Sequence, residues 1–107
     1  MEKEFGKLLV RLKAEFFYLK AELNEDKSPS VAFGSYQNAI NNYIKAGYLK
    51  LAEDIFNNLE RCAGKLDSLS YELTDFLTFS RTLDEKYQYQ VNKIIETLES
   101  KKKSQVN

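Results

Sequence analysis

Large apolar residues recur along nearly the whole chain at steps of three and four, a period that suits α-helix and little else. Phe5, Leu8, Leu9, Leu12, Phe16, Leu19 and Leu23 form the first stripe, on a helix predicted from about residue 2 to 24. The polar run from Asn24 to Ser30 follows and holds the only proline, Pro29, directly after Ser28. A fixed φ and a missing N–H suit Pro29 to the first turn of a second helix, 29–46. That helix carries Val31, Phe33, Tyr36, Ala39, Ile40, Tyr43 and Ile44, and Gly47 can adopt the left-handed conformation that closes it. A third helix, 48–64, shows Leu51, Ala52, Ile55, Phe56, Leu59 and Ala63, with Gly64 as a stop and Asp67-Ser68 as a fresh N-cap. The last stripe, Leu69, Leu73, Phe76, Leu83, Tyr87, Val91, Ile94 and Leu98, keeps heptad phase over 68–100. Thr82-Leu83-Asp84-Glu85 also reads as a capping box, so this helix is either continuous or broken near 80–83. No segment alternates with period two, and neighbours joined by short turns run antiparallel. The expectation is one all-α domain over 1–100, an antiparallel bundle of four or five helices, and a frayed basic tail over 101–107.

Composition narrows the chemistry. The 107 residues include no His and one Cys, which removes the commonest acid/base group, disulfides within the chain and multi-thiolate zinc sites. The four glycines are isolated, so no phosphate loop is present, and no cofactor or metal is expected. The start of the chain alternates charged and apolar residues, and 18 apolar residues never run together. Neither a leader nor a membrane span is expected, and the chain reads as cytoplasmic.

From Tyr43 to Phe56 the spacing is more specific: Tyr43, Gly47, Tyr48, Ala52 and Phe56 lie on a helix, a one-glycine turn and a second helix. A small Ala52 lets two backbones approach while Tyr43 and Phe56 fill the space beside it. Over residues 36–64 this resembles one tetratricopeptide-type unit. Ala39 and Ile40 stand where that repeat has Leu-Gly, and Leu59 where it has a small residue. A shift of 34 residues in either direction finds no second copy. The hairpin is also similar to those of HEPN domains and of microtubule-interacting-and-trafficking domains, although no His follows Arg61 or Arg81 as the HEPN ribonuclease signature requires. The resemblance implies scaffolding or protein binding.

The remaining chemistry is sparse. Glu72/Asp75, Glu96/Glu99 and Glu53/Asp54 are spaced as carboxylate pairs, but lack the partners that acid/base work or a di-metal site needs and read as solvated helix faces. Cys62, near a helix C-terminus, reads as a small core residue rather than a reactive thiol. Zero net charge conceals a division: residues 1–50 carry 8 basic and 6 acidic groups, residues 51–100 carry 5 and 10, and Lys101, Lys102 and Lys103 follow. Fourteen Phe and Tyr residues exceed what the stripes hold. Phe17, Tyr18, Phe79 and Tyr89 fall off the core phase and are the candidate contacts for a protein partner or a second copy. The expected function is therefore a non-catalytic protein-protein interaction module, an adaptor or accessory subunit. The alternative is a nucleic-acid-associated subunit touching phosphate through Lys93, Lys101, Lys102 and Lys103.

Overall fold

The computed structural model describes residues 2–67 and 69–106, with side chains from 4 to 104. It is all-α, with helices α1 (Glu2–Asn24), α2 (Pro29–Lys45), α3 (Leu49–Lys65), α4 (Glu72–Ser80) and α5 (Gln88–Val106), the last entered through a short 3-10 turn at Glu85–Tyr87. α1 packs mainly on α2, α2 in turn on α3 and α4, and α5 closes the far side against α3 and α4. α2 is thus the central helix and α1 an outer layer. The core between α2, α3, α4 and α5 holds Phe33, Tyr36, Ile40, Phe56, Leu59, Phe76, Ile94 and Leu98, all nearly free of solvent. Phe33 and Phe79 flank Phe76 with ring centroids 5.8 and 5.9 Å away, and Phe56 stacks on Tyr87 at 5.3 Å.

The α2–α3 turn is closed as its glycine implies. Gly47 has φ +84°, its amide donates to the Ile44 carbonyl, and the Tyr48 amide donates to the Tyr43 carbonyl at 2.9 Å. These two bonds are those of a Schellman ending, and the Tyr43 and Tyr48 rings meet edge to face across it. Gly64 does not end α3: it has no positive φ, and the helix continues to Lys65 before an extended Leu66.

The long fourth helix is broken, and later at its start than its pattern suggests. α4 begins at Glu72, whose own carboxylate accepts from the Ser70 and Tyr71 amides at 2.8 and 3.1 Å and so caps the helix. Ser68, the expected cap, lies outside the described residues. At the second boundary Asp84 accepts from the Lys86 amide at 3.1 Å and starts the turn into α5. The basic tail differs from expectation as well. Helix α5 carries Lys101, Lys102 and Lys103 to Val106, and Lys101 Nζ donates to the Leu66 carbonyl at 2.8 Å. Continuation from an anchored helix needs no new nucleus, which is why the mostly polar residues 101–106 stay helical. Asn107 lies outside the described residues.

Candidate interaction surface

α1 presents to solvent the residues that hydropathy would bury. Phe5, Leu8, Leu9, Leu12, Phe16, Leu19 and Leu23 are between 48% and 77% exposed. The opposite side of the helix, Ala14 and Ala21, is completely buried. At 100° per residue the two sets lie about half a turn apart. α2, the helix on which α1 packs, buries small residues of its own: Ala32 and Ala39 completely, and Ser35 and Ala46 nearly so. Alanines a heptad apart let two helix backbones approach closely, a contact that larger side chains would hold open.

Two polar clamps, one near the middle of α1 and one just past its C-terminus, hold the rotation of α1 about its own axis. Near the middle of the helix the Arg11 guanidinium lies 4.9 Å from the Tyr48 ring, donates to the Tyr48 hydroxyl at 3.2 Å and pairs with Glu15 at 3.2 Å. Just past the C-terminus, Glu25 is buried. Its carboxylate accepts from Arg61 Nε and Nη2 at 2.8 and 2.7 Å, from Lys65 Nζ at 2.5 Å and from the Tyr36 hydroxyl at 2.6 Å. Lys65 also holds Asp26 at 2.8 Å. The Arg61 hydrogen bonds, with those of Lys65 and Tyr36, outweigh burial and hold the Glu25 carboxyl far below the usual range. Burial, then Glu25, pushes the Tyr36 hydroxyl well above its ordinary value. Periodicity gives no sign of this clamp. The only local trace is the i, i+4 spacing of Arg61 and Lys65, which puts both cations on one face of α3.

The four aromatic candidates separate. Tyr89 is open to solvent with the Lys93 ammonium 4.8 Å from its ring centre. Phe17, Tyr18 and Phe79 are half-buried against the core instead. Tyr18 lies 6.1 Å from the Tyr36 ring and accepts from Asn58 Nδ2 at 3.3 Å, while Phe17 meets Phe16 edge to face. Their inward position follows from the rotation that buries Ala14 and Ala21. Of the lysines, Lys101 is engaged at Leu66, Lys93 lies over Tyr89, and Lys102 and Lys103 are exposed.

Glu72 is the one member of the carboxylate pairs to leave the solvated face. It is buried beside a groove of 250 Å³ between α2 and α4, lined by Ser30, Gln37, Tyr71 and Phe79. Burial alone would raise its pKa, but the Ser70 and Tyr71 amides and the Ser30 hydroxyl at 2.8 Å lower it. Both oxygens are therefore committed to the fold. Cys62 is buried and its thiol donates to the Pro29 carbonyl at 3.3 Å. Burial foremost, then Glu25, pushes it up to about 12. Among the described residues no group of three or more His, Cys, Asp or Glu could hold a metal ion, and no helix is long and apolar enough to cross a membrane.

Set against known proteins, the chain matches no family model, and no curated protein and no solved structure matches it.

Proposed function

We propose that this protein is a non-catalytic interaction module, a small adaptor or accessory subunit acting in the cytoplasm, that docks through the outward face of α1. The observation that carries this reading is the exposure of seven large apolar side chains on one face of one helix. At roughly 100 Å² each they offer about 700 Å², more than the largest apolar patch of an ordinary monomer. The interface therefore moves from the off-phase aromatics to the stripe itself. In this reading the α2–α3 hairpin, with its tetratricopeptide-like spacing, is the frame against which α1 is held. The nucleic-acid alternative draws less support, because Lys101 is bound to the Leu66 carbonyl and Lys93 lies over Tyr89.

The test is a photo-crosslinking residue placed at Leu12, compared with the same residue at exposed Glu99 on α5, in cells of the native source. Adducts at Leu12 well above those at Glu99 are expected. Equal yields at the two positions would overturn the reading.

A further inference from the structure

We infer that the occupant of this face is a second copy of the chain, with the two α1 helices side by side and parallel. The inference rests on the docking reading above and adds the partner and its orientation.

The first support is the phase of the stripe. Phe5, Leu9, Leu12, Phe16, Leu19 and Leu23 step by four and three in strict alternation, the spacing of a coiled-coil seam. Phe5, Leu12 and Leu19 take the d position and Leu9, Phe16 and Leu23 the a position. Ala14 and Ala21 then fall at f, the position farthest from the seam. One helix can thus pack on its own bundle through f while its a and d residues meet a partner.

Charge selects the partner and the orientation. The seam is bordered on one side by Glu15 and Glu22 at g, and on the other by Lys13 and Lys20 at e. In a parallel pair each g residue faces the e residue five places on in the other helix. Glu15, which also pairs with Arg11 of its own helix, then meets Lys20 of the second copy, twice by symmetry, and Leu8 lies along the aliphatic stem of Lys13. An antiparallel pair would set g against g and e against e, acid on acid and lysine on lysine. A lipid surface is also disfavoured, since an interfacial helix carries basic residues along its polar face whereas here Glu15 and Glu22 border the seam on one side.

Area and preorganisation agree with this. The exposed stripe of about 700 Å² is close to the roughly 800 Å² per partner of a stable complex. A free helix of three heptads is marginal in water, but α1 is already held helical by its bundle. Pairing therefore bears no cost of forming the helix. The same patch on both copies makes a closed two-fold contact.

The experiment uses the full chain in sedimentation velocity, with disulfide trapping in a Cys62→Ser background. Wild type is expected to sediment at twice the 12.5 kDa of one chain. Leu12→Glu/Leu19→Glu should weaken that association by about a hundredfold or more while circular dichroism shows the same helix content and melting. Phe5→Cys alone and Leu23→Cys alone should each form a disulfide with its own copy. A disulfide formed only when the two variants are mixed would overturn the parallel orientation. A chain that stays monomeric at sub-millimolar concentration would overturn self-pairing. Crosslinking at Leu12 to a different protein would then leave the docking reading standing, and absence of any preferential crosslinking there would remove both. Binding of that monomer to vesicles of phosphatidylcholine and phosphatidylglycerol would likewise overturn self-pairing and assign the stripe to a lipid surface.

Discussion

The two long faces of α1 are built from different materials, and the outward one is placed contrary to its hydropathy. The inward face is small, with Ala14 and Ala21 fully buried against α2, and the outward face is large, with Phe5 to Leu23 in solvent. Attachment to a bundle depends on how closely two helices approach as well as on how apolar each residue is. Small residues on α1 and α2 allow a near contact, and the Arg11–Tyr48 clamp at mid-helix and the Glu25–Arg61 clamp past the C-terminus fix the rotation that produces it. The large residues are thereby left available for an outside surface. An inward face and an outward face should answer perturbation differently.

The largest expected difference is in reactivity. The raised pKa of Cys62, beneath the α1–α2 turn, leaves its thiolate fraction about a thousandfold below that of a free thiol at the same pH. A disulfide reagent at pH 8 should label it only after denaturation; a native thiol that reacts at the unfolded rate would mean that the inward layer opens freely.

Next comes packing. Ala21→Leu forces extra methylenes between α1 and α2 and should cost about 1–3 kcal/mol by denaturant unfolding, whereas Leu12→Ser should change monomer stability by less than about 0.5 kcal/mol. If the two variants reverse in order, the faces have been assigned the wrong way round.

The smallest effect concerns the clamp and depends on pH. The folded-state pKa of Glu25 lies below its unfolded value near 4.3, so its stabilisation is complete above that value and is lost as pH falls toward the folded one. Glu72 shifts in the same direction. Arg61 and Lys65 are partly exposed, and solvent screening limits what Glu25→Gln removes to about 1 kcal/mol at pH 7. The gap in melting temperature between wild type and Glu25→Gln should narrow below about pH 4. A gap that widens in acid would show that the carboxylate does not anchor this end of α1.

The helices themselves are legible in the chain because their signals are local. The three-and-four spacing places α1, α2 and α3 within a residue or so at most ends, Pro29 starts α2, and Gly47 turns the chain into α3. Buried Phe33, Tyr36, Ile40, Phe56, Leu59, Phe76, Ile94 and Leu98 belong to those stripes or to their edges. Misread boundaries are those where a side chain or the backbone itself departs from the general rule. Glu72 caps α4 in place of a residue further upstream, and α3 runs through Gly64 because its backbone there stays in ordinary helical space.

What the sequence alone determined is which faces are apolar and where most of the helix ends fall, since both depend on neighbours within a few residues. What only the tertiary structure decided is which face of α1 turns inward. That choice rests on the fit of Ala14 and Ala21 against α2 and on bonds reaching from Arg11 to Tyr48 and from Glu25 to Arg61, 37 and 36 residues away. A periodic stripe records that a helix has an apolar side; it carries no record of whether the same chain or another one covers it.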